Sequence, residues 1–142
     1  MTIFAAVLLP LLAVGLHYEL LLLAAAAVRA LPGMRRGRVA LAVVLALGAH
    51  VIEVLLFALG WLVLIRAGAV ELTVSDPTML DAVYFSGSVY TSLGFGDVVP
   101  ARGGQLLVVL EVVTGLVLIA WTASFTLFQM REHWLDDTDK DD

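Results

Sequence analysis

The residues best suited to chemistry form a short run, Thr91-Ser-Leu-Gly-Phe-Gly-Asp97. Gly94 and Gly96 alternate with larger residues, and glycine adopts positive φ without the penalty that a side chain brings. Alternating left- and right-handed conformations would turn successive carbonyl oxygens to one side of the backbone. Oxygen is the ligand that hard, weakly hydrated cations accept, so four copies of Ser92–Gly96 around an axis would stack rings that replace a hydration shell.

Ionisable side chains that interrupt long apolar runs form a second group. A charge at membrane depth is costly and needs a partner, so each is a candidate for a functional or bracing role. The members of this group are His17, Glu19, His50, Glu53 and Glu111.

The composition indicates that a membrane must position these residues. Of the 142 residues, 61% are apolar and 15% are charged, against about 45–50% and about 25% in soluble domains. So short a chain has too little interior for that apolar surface. Without cysteine, disulfides and thiolate chemistry are excluded. The net charge of −5 comes largely from the tail Asp136–Asp142, so no basic patch offers itself to nucleic acid.

Three apolar runs reach the length of about 20 residues that a bilayer requires: Ile3–Val28, Val39–Ile65 and Leu106–Met130. A cleaved signal peptide at the N-terminus is disfavoured, because residues 1–2 carry no Lys or Arg and the apolar stretch is too long. We therefore divide the chain into a first helix (1–31), a short turn (32–38), a longer unit (39–131) and an acidic, solvated tail (132–142). The longer unit comprises a second long helix (39–66), an exposed loop (67–74), a short helix (77–91), the glycine run (92–97) and a third long helix (105–131).

The short helix cannot span the bilayer. Ser75 and Asp76 offer capping side chains, and Pro77 suits the first helical position. About four turns then reach Thr91, so the segment must enter the membrane and return. Non-helical backbone at that depth is tolerated only where protein buries it or where it lines a watery path.

The distribution of basic residues predicts the orientation. Six lie on the side of the turn and the C-terminus, and two lie on the other side. We therefore expect the turn and the C-terminus in the cytoplasm and the N-terminus outside. The six are Arg29, Arg35, Arg36, Arg38, Arg131 and Lys140, and the two are Arg66 and Arg102.

The run Thr91–Asp97 resembles the potassium-channel signature, of which TVGYG is an example. A span, a pore helix, the filter, an Asp, a Pro shortly after it and a span with a central glycine also follow in that order. The chain resembles the small bacterial two-helix potassium channels, in particular those with one extra N-terminal span. The likeness covers about 39–130, and 3–28 more loosely.

This resemblance implies an all-α, homotetrameric membrane protein with three spans and a re-entrant pore helix. It makes 1–31 an accessory helix and 39–131 the pore unit, with an outer helix at 39–66 and an inner helix at 105–131. Its selectivity filter would be Thr91, Ser92, Leu93, Gly94, Phe95, Gly96 and Asp97, with potassium bound through Ser92, Leu93, Gly94 and Phe95 and with no other cofactor. Ser92, Leu93 and Phe95 depart from the usual Thr, Val or Ile, and Tyr, and each change should loosen the filter.

Four positions on the inner helix follow helical spacing and could line the cavity below the filter, or could pack against the second span. They are Leu116, Ile119, Ala123 and Leu127. Gly115 is either a gating hinge or a closely packed small residue. Glu111 is expected to brace the filter from behind, through Ser86, Ser88, Thr91 or filter amides, rather than to sense protons. Asp97 could hold the filter backbone, attract cations, or do both.

Counting inward at about 1.5 Å per residue places His17 and His50 at about 21–23 Å from the outer face, Glu19 near 24 Å and Glu53 near 18 Å. If the first two spans pack side by side, these residues share one layer. We favour an interhelical hydrogen-bond clasp. A metal or proton site is the alternative, since imidazole and carboxylate suit divalent metals.

The sequence therefore predicts a passive, potassium-selective channel in a prokaryotic plasma membrane, with the lipid bilayer and its own copies as partners. No catalytic constellation or nucleotide loop is present, so we expect neither an enzyme nor a small-molecule substrate. A weakly selective cation channel and a non-conducting accessory protein with a relic filter are the alternatives, and a membrane metalloenzyme is more distant.

Overall fold

The computed structural model describes residues 1–30 and 35–134. Four helices account for most of it: α1 (Thr2–Ala30), α2 (Arg35–Arg66), α3 (Met79–Tyr90) and α4 (Gln105–Trp134). Two short strands, β1 (Glu71–Leu72) and β2 (Pro100–Arg102), flank α3 in the chain. The all-α membrane class predicted from the sequence is confirmed.

Three helices are long and apolar enough to cross a membrane, over Thr2–Ala30, Gly37–Arg66 and Gln105–Arg131. Helix α3 has 12 residues, about 18 Å of helix, and is too short to span. Helix α2 begins at Arg35, so part of the predicted turn is helical, because nothing from Arg35 onward breaks a helix strongly. The rest of that turn, at 32–34, and the tail beyond 134 lie outside the described residues.

Helix α1 packs through one stripe of its surface. The stripe repeats every three or four residues and is rich in alanine, so the helix backbones approach closely. It contacts both α2 and α4. The expected side-by-side packing of the first two spans is therefore present, and α4 is a further neighbour. The buried residues are Ala6, Leu9, Ala13, His17, Leu21, Ala24 and Val28.

The start of α3 differs from the prediction. The helix is capped by Thr78, and a reciprocal capping box joins Thr78 to Asp81. The Thr78 N–H donates to Asp81 Oδ2 at 2.8 Å, and the Asp81 N–H donates to Thr78 Oγ1 at 3.3 Å. The capping box at Thr78 satisfies two backbone N–H groups, so it is preferred over a single capping side chain at Ser75 or Asp76. Asp76 instead has a φ of 49°, and Pro77 precedes the helix.

The predicted exposed loop at 67–74 is wrong in part. Strands β1 and β2 pair antiparallel, with Glu71 opposite Arg102 and Leu72 opposite Pro100. Val70 and Leu72 are buried and Glu71 between them is exposed, because alternate side chains of an extended segment point to opposite sides. The two strands lie beside the glycine run, where the Thr73 hydroxyl donates to Asp97 O at 3.3 Å.

Candidate functional site

The end of α3 delivers the chain into the glycine run. Thr91 is the C-cap, and its hydroxyl donates to Gly87 O at 2.7 Å. The Ser92 N–H donates to Val89 O at 2.9 Å. These bonds end the helix at Tyr90 and fix the direction in which the following residues leave it.

The run alternates in backbone conformation, as the glycine spacing predicts. Gly94 has a φ of 58° and Gly96 a φ of 79°. A Cβ at either glycine would meet nothing within 4 Å in the subunit, so the conformation rather than crowding within the subunit selects glycine. Ser92 also has positive φ, at 56°, which the sequence did not indicate. The left-handed residues are therefore 92, 94 and 96.

Three amides of residues 92–96, those of Ser92, Gly94 and Phe95, donate to α3. The Gly94 N–H donates to Ser88 O at 3.2 Å, and the Phe95 N–H donates to Ser88 Oγ at 3.3 Å. Within residues 1–30 and 35–134, no carbonyl oxygen of residues 92–96 accepts a hydrogen bond. All residues from 91 to 97 are exposed in the single chain. The arrangement can present oxygen ligands to a cation.

Tyr84 contacts the C-terminal end of the run. Its hydroxyl donates to Asp97 Oδ2 at 2.7 Å, and its ring stacks on Phe95 with centroids 6.1 Å apart. The Asp97 carboxylate also accepts from the Val98 N–H at 2.9 Å. The hydrogen bond from Tyr84 holds the pKa of Asp97 below its ordinary value, so this exposed side chain stays charged beside the glycine run. Phe95 has no hydroxyl with which to bind α3, so the hydrogen bond from Tyr84 of α3 to Asp97 links this end of the run to the helix.

Glu111 lies behind the run, fully buried. The Ser86 hydroxyl donates to Glu111 Oε1 at 2.6 Å, and the Trp61 indole N–H donates to Glu111 Oε2 at 2.6 Å. Ser86 is one of the partners that the sequence suggested, whereas Ser88 binds the run itself. Trp61 was not predicted as a partner. The only signal in the sequence is that an indole N–H within an apolar run needs an acceptor. The carboxyl group thus joins α2, α3 and α4.

The inner helix presents two different surfaces. All four predicted pore-lining residues are exposed in the single chain: Leu116, Ile119, Ala123 and Leu127. Gly115 is buried, and a Cβ there would lie 2.0 Å from Tyr90 O. The close approach of α4 to the end of α3 therefore requires glycine at 115, which favours the packing interpretation over the hinge.

Three of the four residues of the predicted mid-membrane layer come together. Glu53 Oε1 accepts from His17 Nδ1 at 2.7 Å, and Glu53 Oε2 accepts from His50 Nδ1 at 3.1 Å. Glu19 does not join them, because it lies two positions beyond His17 and so projects from a different face of α1, where it is exposed.

Two further residues, which were not predicted from the sequence, complete this layer. The Tyr90 hydroxyl donates to Glu53 Oε2. Thr122 Oγ1 lies 2.9 Å from His50 Nε2 and 3.4 Å from His17 Nε2. We call these five residues (His17, His50, Glu53, Tyr90 and Thr122) the His–Glu cluster. It joins all four helices, and Tyr90 places it next to the glycine run.

A double-mutant cycle should detect this clasp. We expect His50→Ala and Glu53→Ala each to lower the free energy of unfolding by about 2–4 kcal/mol, because each leaves buried polar partners unpaired. The double variant should cost less than their sum. Thermal unfolding in detergent with a chelator present measures all three, and additive effects would mean that the side chains do not interact.

The fold and the site together define a class: a multi-pass membrane protein in which a short helix and a glycine-rich segment stand between two spans. Residues 39–131 match the family model described as "Ion channel", and the chain belongs to this family, the two-transmembrane potassium-channel pore family. Helix α1 is an additional apolar helix that precedes the matched region. Neither a curated protein nor a solved structure matches the chain.

Proposed function

We propose that this ion channel is a homotetramer that conducts potassium passively through a filter formed by Ser92–Gly96. The observation that carries the proposal is the alternation of left-handed residues at 92, 94 and 96. Three amides of this segment donate to α3, and its carbonyl oxygens accept no hydrogen bond in the described chain. The carbonyl groups of Ser92, Leu93, Gly94 and Phe95 would then replace the hydration shell of potassium.

The exposure of Ser92–Gly96 in the single chain is the reason to expect that several copies of the chain assemble. Leu93 is 60% exposed and Phe95 is 63% exposed in the single chain. Polar, non-helical backbone cannot face lipid tails, so other protein must cover it. One segment supplies one side of a carbonyl ring, and four identical copies close the ring.

The path below the filter would be lined by the exposed face of α4, at Leu116, Ile119, Ala123 and Leu127. Its apolar wall fits a cavity that holds hydrated ions without binding them. The excess of basic residues at the turn and the C-terminal end places those parts in the cytoplasm and the N-terminus outside. A prokaryotic plasma membrane is the location that we propose.

Two measurements test this function. Native mass spectrometry should give four chains in the conducting form, and a stable dimer or trimer that conducts would contradict the assembly. In planar bilayers with potassium on one side and sodium on the other, the reversal potential should lie far from zero, in the direction set by the potassium gradient.

A weakly selective cation channel is the second candidate, favoured by Leu93 and by Phe95, which has no hydroxyl to hold the filter wall. A reversal potential near zero under the same bi-ionic conditions would support it. The absence of current from an intact tetramer would support the non-conducting accessory protein.

Tyr84→Phe should change the response of the channel to acid. Tyr84 holds the pKa of Asp97 below its ordinary value, so the carboxylate keeps its charge as the outer pH falls. Without the hydroxyl, the pKa rises towards the ordinary value, and Asp97 is neutralised at a higher pH. Phenylalanine keeps the ring that stacks on Phe95.

We therefore expect the inward single-channel current of Tyr84→Phe to begin its decline at a higher outer pH than that of the wild type. Asp97→Asn should show no such decline and serves as the control. Superimposable pH curves for wild type and Tyr84→Phe would show that the Tyr84 hydroxyl does not stabilise the Asp97 charge.

A further inference from the structure

The His–Glu cluster contains more ligand chemistry than a hydrogen-bond clasp requires. His17, His50 and Glu53 each offer a metal-ligating atom, and these atoms lie within 4.8 Å of one another. His17 and Glu53 are completely buried. We propose that the cluster is a structural site for one zinc-class divalent transition-metal ion per subunit, which fastens α1 to the pore unit.

The donor distances fit such an ion. With bonds of about 2.0–2.1 Å in tetrahedral geometry, donor atoms lie about 3.3 Å apart. Glu53 Oε1 is 2.7 Å from His17 Nδ1, and Glu53 Oε2 is 3.1 Å from His50 Nδ1. These two contacts must widen by a few tenths of an ångström to admit the ion, and the donor atoms of the three residues, which lie within 4.8 Å of one another, must close to that common separation. The Tyr90 hydroxyl oxygen, 2.9 Å from His50 Nδ1, is the fourth donor. Four protein donors make a closed site, as in structural zinc sites.

A bound cation also satisfies the hydrogen-bonding groups of the cluster. Without it, when both imidazoles are neutral and both Nδ1–H groups donate to the Glu53 carboxylate, the Nε2 atoms of His17 and His50 are both acceptors. Both face Thr122 Oγ1, at 3.4 and 2.9 Å. The single hydroxyl proton of Thr122 serves one of them.

Coordination through Nδ1 reverses this mismatch. Each imidazole then carries its N–H on Nε2 and donates to Thr122, whose oxygen has two lone pairs to accept both bonds. Ligating histidines ordinarily donate their second N–H to an acceptor of this kind, which fixes the ring orientation. Thr122 is thus a positioning residue for both ligands.

An ion also needs a route to the site. His50 is the one ligand histidine that is partly exposed, at 17% of its side chain. It borders a cleft of about 720 Å³ between α2, α3 and α4, and Thr122 and Tyr90 line the same cleft. The ion therefore enters from the side of the subunit, before neighbouring copies or lipid close the cleft.

Metal content of the full-length protein, purified in detergent, tests the proposal. The protein is stripped with a chelator and equilibrated with zinc in excess magnesium, which saturates the acidic tail. We expect one zinc per chain in the wild type and none in His17→Ala. Thr122→Val should bind at least tenfold more weakly, the usual cost of losing an outer partner. His133→Ala, which removes the remaining histidine, and Glu19→Gln should bind as the wild type does.

Cobalt substitution keeps the test decisive if a histidine variant fails to fold, because the wild-type protein should then show the intense visible absorption of tetrahedral cobalt with nitrogen and oxygen ligands. Zinc should also raise the unfolding temperature of the wild type but not of Thr122→Val at the same low concentration. Both readouts are independent of conduction. Equal zinc content in wild type and His17→Ala, weak octahedral cobalt absorption, or stability that responds to pH but not to zinc would overturn the metal site and leave a hydrogen-bonded or proton-binding clasp.

Discussion

Gly94→Ala is expected to abolish potassium flux while the tetramer remains assembled. Gly94 has a φ of 58° with open space around its Cα in the single chain. Alanine in the left-handed region costs about 1–2 kcal/mol, and the cost is repeated in each subunit. Relief of that strain rotates the adjoining peptide groups, so their carbonyl oxygens leave the column.

Gly68→Ala is the matched control. Gly68 also has positive φ, at 67°, and also has nothing within 4 Å of an added Cβ. It follows α2 and lies outside the run 92–97, so its variant carries the same strain away from the proposed filter. Liposome flux per assembled tetramer should be lost in Gly94→Ala and kept in Gly68→Ala. Selective flux through Gly94→Ala would remove the filter assignment.

Gly115→Ala should disrupt the packing of α4 against α3. The added Cβ would lie 2.0 Å from Tyr90 O and 2.9 Å from the Tyr90 carbonyl carbon. Both are backbone atoms, which cannot rotate away, so α4 and α3 must separate. We expect a loss of about 1–3 kcal/mol of stability, as for other overpacked sites, together with loss of flux, because Tyr90 immediately precedes the run.

Gly48→Ala provides the comparison for this second variant. Gly48 also lies within a spanning helix, and an added Cβ there meets nothing within 4 Å. Its alanine variant should unfold at the wild-type temperature or slightly above it, because alanine is the better helix former. Thermal unfolding and the tetramer fraction in detergent measure both. A Gly115→Ala protein that behaves like Gly48→Ala would show that α3 and α4 do not approach closely at this point.

Local features of the chain were predictable where the composition of a segment, or the conformational freedom of glycine, is enough to determine the structure. The apolar runs give α1, α2 and α4, because length and hydropathy suffice to identify a span. Gly94 and Gly96 give the left-handed positions. Ser86 was among the expected partners of Glu111, because a buried carboxyl group needs a nearby donor.

Features that depend on distant contacts were not predictable. The Trp61 side chain reaches Glu111 across 50 residues of sequence, and Thr122 reaches His17 across 105. Depth along a helix could be counted from the sequence, and it placed His17, His50 and Glu53 in one layer. Helical geometry alone puts Glu19 about 200° around α1 from His17, so including both in one layer was wrong, and the packing was needed only to show which of the two faces the other helices.

Ion positions in the assembled protein test most directly whether Ser92–Gly96 form the selectivity filter. Crystals of the full-length protein grown with rubidium, a potassium analogue with a strong anomalous signal, should show four chains around one axis. We expect anomalous peaks on that axis, level with the carbonyl oxygens of Ser92, Leu93, Gly94 and Phe95. An assembly without an axial column of peaks, or peaks away from these residues, would contradict the filter assignment.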